Sequence, residues 1–143
     1  MLMVSLSSLT RSSAKCADLL SCFLDLNDLE VRLFYTIIAR SGITLDELAE
    51  SLGKDRSTVF RNLQKLVSLG IIYKDMFSLD HGGRVARYFP NDITEIRKVV
   101  EDRVNNLKKS MDAFLLDFEE RINNETLIYG THSGKPVPRV RIP

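Results

Sequence analysis

No uninterrupted apolar run in this chain approaches the roughly 18 residues of a membrane-crossing helix, so no membrane partner is expected. The opening stretch MLMVSLSSLTRSS is only weakly apolar and has no basic region before it. It reads as a frayed start and not as a secretion signal. Cysteine is scarce, with Cys16 and Cys22 the only two. Six residues apart on a helix, they stand too far from each other to bridge within one chain. That leaves core or interface thiols in a reducing cytoplasm, or else a cross-chain disulfide or redox sensor. His81 and His132 are isolated, and neither H-x-x-x-H nor C-x-x-C spacing is present to ligate zinc. There is no Walker loop, and Gly82-Gly83 is too short a glycine element to cradle a nucleotide. Acidic pairs fall only on faces expected to be solvated. An enzyme is therefore not expected, and neither is a metal or a cofactor. Internal repeats and low-complexity tracts are absent as well.

An excess of one charge is also missing, since 20 basic residues stand against 19 acidic ones for a net +1. The distribution says more than the total. Between Lys54 and Lys65 the bases Lys54, Arg56, Arg61 and Lys65 face the single acid Asp55, a local +3. Residues 91–123 hold eight acids and six bases, a local −2. A basic patch on a near-neutral protein is compatible with DNA binding. At 143 residues, 44% hydrophobic and 27% charged, the chain can form one compact domain plus an appendage.

Cys16, Leu19, Leu20, Phe23 and Leu24 recur at helical spacing and predict a short amphipathic helix over 14–25. Asn27 followed by Glu30 is a capping-box arrangement that opens a helix over about 28–40. Its apolar residues occupy most sides, which predicts a central position. Ser41-Gly42 ends it. Thr44 offers the next N-cap, with Asp46 and Glu47 at the positive helix end and Leu45, Leu48, Ala49 and Leu52 on the inner face. Gly53 makes a turn, Asp55 can cap a second helix, and Gly70 stops it. Two strand-like runs, Ile71 to Leu79 and Arg84 to Phe89, flank Asp80-His81-Gly82-Gly83, a glycine-containing hairpin connection. Pro90 closes the second run, and Asn91 or Asp92 can cap a helix after it.

Apolar residues then recur in steps of three and four from Ile93 to Ile122. Such a seam belongs to a coiled coil or a long packed helix. Its members Ile96, Val100, Val104, Leu107, Met111, Phe114 and Phe118 are the expected dimerisation residues, and Leu19 to Phe23 are expected to join them. The expected organisation is thus an N-terminal segment with a short helix (1–26), a DNA-binding domain (27–90), a long dimerisation helix (91–123) and an irregular basic tail (124–143). The tail bases Lys135, Arg139 and Arg141 are either phosphate contacts or free.

The pattern over 44–70 meets three steric demands of a helix-turn-helix together: small Ala49 where the helices cross, Gly53 at the turn, and branched Val59 inside the second helix. With Val59 at zero and about 100° per residue, Leu63 and Leu66 fall inward, while Ser57, Arg61, Gln64 and Ser68 lie near the opposite pole. Thr58 and Lys65 flank that pole. Arginine suits guanine edges, glutamine suits adenine, and Ser, Thr and Lys suit phosphates or bases. Arg56, in the first turn, is placed for a phosphate, and Phe60 lies at the border of the face. Arg84 stands beside the glycines of the hairpin tip, where it can enter a minor groove or neutralise a phosphate.

NDLEVRLFYTIIARSG, LDELAESLGKDRSTVFRNLQKLVSLGII and HGGRVARYF together resemble the winged-helix domain of archaeal TrmB-like transcriptional regulators and, more loosely, that of MarR-type regulators. The resemblance covers 27–90. It implies a mainly α fold with a small β-hairpin wing: a winged helix-turn-helix followed by a long C-terminal dimerisation helix, as in small single-domain regulators. It also implies a homodimeric, sequence-specific binder of double-stranded DNA that controls transcription, and the expected location is the cytoplasm, on the nucleoid. By position, the recognition helix is about 55–69, the wing about 79–84, and the contacts Ser57, Thr58, Arg61, Gln64, Lys65 and Arg84; Arg56 joins the expected DNA-binding set through its first-turn position. No small-molecule effector is evident. Two other roles suit the same pattern: a protein-interaction adaptor of the transcription machinery, and an architectural DNA binder of low specificity.

Overall fold

A computed structural model describes residues 15–130. The expectations for the opening stretch, for His132 and for the tail bases lie outside the described residues. In chain order the elements are α1 (Cys16–Phe23), α2 (Asp28–Ala39), β1 (Ile43–Thr44), α3 (Leu45–Leu52), α4 (Arg56–Leu69), β2 (Ile72–Ser78), β3 (Arg84–Pro90), α5 (Ile93–Leu116) and α6 (Phe118–Tyr129). The fold is mainly helical, with one three-stranded antiparallel sheet in the order β1-β3-β2. By internal contacts the chain divides into two units between Val104 and Asn105, a boundary that falls within α5.

In the first unit the helices begin and end where local chemistry dictates. Asn27 Oδ1 accepts from the Glu30 N–H at 2.8 Å, and the Asn27 N–H donates to Glu30 Oε1 at 3.2 Å, which completes a capping box. Thr44 Oγ1 accepts from the Glu47 N–H at 3.2 Å, and Asp55 accepts from the Thr58 N–H at 3.2 Å. Gly53 (φ 63°) and Gly70 (φ 82°) terminate α3 and α4 in the left-handed region. A side chain at Gly53 would meet nothing within 4 Å, so backbone angle alone demands glycine there.

One core joins these elements. Leu33 and Ile37 of α2, Leu48 of α3, and Val59, Leu63 and Leu66 of α4 are all 0% exposed. Leu24 before α2 and Ile72 of β2 complete the packing at 1%. The expectation that α2 is enclosed on most sides is only partly met. Tyr35 and Ile38 remain 39% and 46% exposed, because α1, α4 and the sheet cover one side of the helix and leave the other open. Burial first, and then a hydrogen bond with Cys16, push the Tyr35 hydroxyl up to about 12.

The two-residue strand β1 has no counterpart among the sequence expectations. Ile43 and Thr44 pair with Tyr88 and Arg87, and the Gly42 N–H donates to the Tyr88 carbonyl. Two residues carry too little periodicity to announce a strand. In the hairpin, Ile72, Lys74, Met76 and Ser78 stand opposite Pro90, Tyr88, Ala86 and Arg84. The alternate face carries Tyr73, Phe77 and Phe89, with Tyr73 stacked on Phe89 at 5.3 Å. Arg87, whose partner the sequence leaves open, donates to the Gly42 carbonyl at 2.9 Å and lies over the Phe77 ring. Of the two cap candidates before α5, Asp92 receives the Thr94 N–H, while Asn91 ties back to the Gly70 carbonyl.

The second unit contains the remainder of α5 and all of α6. The expected uninterrupted helix breaks at Asp117, where φ −119° and ψ 24° leave helical geometry. Aspartate is a poor helix interior and a natural restart point, and Glu119 and Glu120 then occupy the favourable first turn of α6. Asp117 receives Arg121 Nε at 2.8 Å, and the Phe114 and Phe118 rings meet edge to face at 5.5 Å across the break. Helix continues to Tyr129, so 124–129 are not the irregular tail that was expected.

Candidate nucleic-acid interface

The outward face of α4 is defined by what lies behind it. Val59, Leu63 and Leu66 anchor one side of the helix completely, and Ala49, 8% exposed, lets α3 approach closely. Ser57, Arg61, Gln64 and Ser68 therefore point away from the core, and all four are exposed. Among the described residues Arg61 has only one loose contact, Nη2 to Thr58 Oγ1 at 3.5 Å, and the Gln64 amide has no side-chain partner.

The first turn is organised by Asp55. Its carboxylate accepts from the hydroxyls of Ser57 and Thr58, the latter at 2.7 Å, and from the Thr58 N–H. The Ser57 hydroxyl, then the Thr58 hydroxyl, then that N–H hold the Asp55 carboxyl well below the usual carboxylate range. The cap thus engages the hydroxyl protons of Ser57 and Thr58. Arg56 pairs with Asp46 of α3 at 2.8 Å, both side chains being largely exposed.

Lys65 is placed differently from its expected role. Its ammonium reaches Glu30 Oε1 and Oε2, each at 3.1 Å, and the Asp25 carbonyl. Glu30 is 1% exposed and also serves the α2 capping box. Its Oε2 has no aligned hydrogen bond, so this ammonium is the compensating charge. Asp25 has φ 53°, a conformation aspartate tolerates, and that turn presents its carbonyl to Lys65. Beside this pair, Asn27 Nδ2 donates to Asn62 Oδ1 at 3.1 Å. The start of α2 is therefore clamped to α4 by two polar contacts. Sequence reasoning missed the clamp. Its only signal was the capping box, whose second partner stands 35 residues away.

The wing tip is closed by the Leu79 N–H to the Gly83 carbonyl at 3.0 Å, with Gly82 and Gly83 at φ 89° and 84°. Arg84 is exposed at the first position of β3, cross-strand from Ser78. Among the described residues no cluster of His, Cys, Asp and Glu is placed to hold a metal ion.

The expected dimerisation residues separate into two groups. Ile96 is 7% exposed and belongs to the core of the first unit, against which Val99 and Val100 also pack. Val104 is half-buried, whereas Leu107, Met111, Phe114 and Phe118 are 42%, 51%, 43% and 42% exposed.

A family model described as the sugar-specific transcriptional regulator TrmB matches residues 20–101, more than half of the chain. The chain belongs to the TrmB family of transcriptional regulators. The match spans the whole winged helix and the first turns of α5. An uncharacterized protein of Methanocaldococcus jannaschii is 28% identical over 106 residues, which cover 71% of this chain and 79% of that relative. Among solved structures, one described as a possible transcriptional regulator from Methanosarcina mazei matches with a TM-score of 0.63 and 25% identity, over 76% of this chain and 95% of that one. A protein from the archaeon Sulfolobus tokodaii shares the fold at a TM-score of 0.55 and 21% identity, over 66% and 92% of the two chains. The TrmB winged helix is thus a DNA-binding fold of transcription regulation, and its candidate interface here is the outward side of α4 with the wing.

Proposed function

We propose that this TrmB-family regulator binds double-stranded DNA sequence-specifically as a homodimer. In this reading α4 lies in the major groove, and the wing at 79–84 lies on the adjacent minor groove or backbone. The observation that carries it is the pairing of Arg61 and Gln64 on one exposed face whose opposite side is wholly anchored in the core. An arginine and a glutamine three residues apart on a helix suit a guanine and an adenine edge. Ser57 and Thr58 frame the helix entry, and Arg56 is within reach of a phosphate if it exchanges Asp46 for one. Arg84 takes the wing contact. Lys65 does not belong to the reading set, because the buried Glu30 carboxylate holds its charge.

Pairing of two copies rests on the exposed apolar residues Leu107, Met111, Phe114 and Phe118. Two recognition helices would then read half-sites about 34 Å apart. Gel-shift titration of genomic fragments at low salt tests the reading. Salt-sensitive retention with preferred fragments is the expected result. No retention at all, with a protein partner captured instead, assigns the adaptor role, and retention without any preferred site assigns the architectural one.

A further inference from the structure

A groove of about 500 Å³ opens between α4 and the wing sheet, lined by Phe60, Gln64, Val67, Ser68, Lys74 and Tyr88. Lys74 is the one charged residue among these six. Strand register sets its direction: Lys74 stands directly opposite Tyr88 and two residues from Ile72. Tyr88 and Ile72 are buried at 3% and 1%, so the pleat turns Lys74 to the same sheet face, the one packed toward α4. Its neighbours across the groove, Gln64 and Ser68, belong to the reading face. The Ser68 hydroxyl donates to the Gln64 carbonyl at 2.9 Å, and Tyr88 forms a buried floor, so neither supplies a charge to this space.

Several other cations of this region already have partners. Arg56 has Asp46, Lys65 has Glu30, and Arg87 has the Gly42 carbonyl. Lys74 has no ion pair among the described residues, and it is exposed. An unpaired ammonium in a neutral groove between a recognition helix and a wing has one complementary occupant in a protein–DNA complex, a backbone phosphate.

We infer that Lys74 is a phosphate-binding residue that seats the DNA strand passing between α4 and the wing. The inference rests on the proposed DNA binding and assigns it a contact outside both the helix and the wing tip. Lys74 sets affinity and register, while Arg61 and Gln64 read sequence.

The test uses the full chain and two fluorescent duplexes, one preferred and one scrambled, titrated from roughly 50 to 200 mM KCl. Lys74→Gln should lower the slope of log K against log salt by about one for each bound protomer, and weaken both duplexes by the same factor. Lys74→Arg should keep the slope. Melting temperatures of both variants should match the parent, since the side chain is exposed. If the parent binds and Lys74→Gln retains slope and affinity, the inference fails and the DNA-binding reading stands. If Lys74→Gln weakens only the preferred duplex, Lys74 is a base reader and the inference fails equally. If the parent binds neither duplex, both fall. Competition by millimolar inorganic phosphate that Lys74→Gln abolishes, with an unchanged DNA salt slope, would assign the groove to a free anion and also overturn the inference.

Discussion

Arg61 carries the sharpest residue-scale expectation. Arg61→Ala should cost about 1–3 kcal/mol in affinity for a preferred duplex, relaxing discrimination at one base position, if it makes a bidentate contact. Anisotropy titration against single-base variants checks this, and an unchanged profile removes Arg61 from the reading set. The cap residue Asp55 gives a pH signature. Its folded pKa is depressed, first by the Ser57 hydroxyl. Its stabilising contribution is therefore fully present above the unfolded carboxylate value near 3.8 and lost as pH falls through the folded one. The melting temperature of Asp55→Ala should lie furthest below the parent's near neutrality, and the gap should narrow below about pH 4. A gap that does not vary with pH would disconnect the cap from its charge. Lys65 and Glu30 make an unequal pair, the lysine side chain being 41% exposed and the glutamate side chain 2%. Lys65→Met strands a buried carboxylate and should cost about 3 kcal/mol in urea denaturation. Glu30→Gln leaves only a half-exposed ammonium to water and should cost less. Equal losses would mean that the clamp acts through shape and not charge.

At the scale of elements, the helix-turn-helix is legible because its constraints are local. Ala49, Gly53, Asp55 and Val59 each act within a few residues, through a crossing distance, a backbone angle, a cap and an inward branch. Gly53→Ala should destabilise by about 1–2 kcal/mol from left-handed strain alone, with no clash to relieve. A chemical denaturation midpoint equal to the parent's would show that the turn relaxes. The elements that escaped sequence reading are those without local signal. β1 exists only because Ile43 and Thr44 lie against Tyr88 and Arg87. The break at Asp117 interrupts an apolar spacing that continues unbroken through it, and spacing alone carries no mark of a restart.

For the whole molecule, the question is what covers the exposed residues of the second half of α5. Ile96 belongs to the chain's own core, whereas Leu107, Met111, Phe114 and Phe118 are exposed, and in the proposed homodimer a second copy covers them. Sedimentation at micromolar concentration should return a mass near twice 16.3 kDa. A concentration-independent monomer would refute pairing, and with it the two-half-site reading. The candidate site was only partly legible for a related reason. Helical phase predicted that Arg61 and Gln64 face outward, as they do, since outward direction on α4 follows from Val59. It could not show that the ammonium of Lys65 is held by Glu30, 35 residues away, or that Lys74 shares a groove with Gln64, because both depend on how separate elements pack against each other.

The sequence by itself determined the caps, the turn and the direction of α4, because each follows from spacing over a few residues, and the kind of regulator through its resemblance to TrmB-like proteins. The tertiary structure alone decided which cations remain available to a polyanion. For Arg56, Lys65 and Arg87 that outcome depends on which acids and carbonyls folding brings within about 3 Å, and no local pattern records those distances.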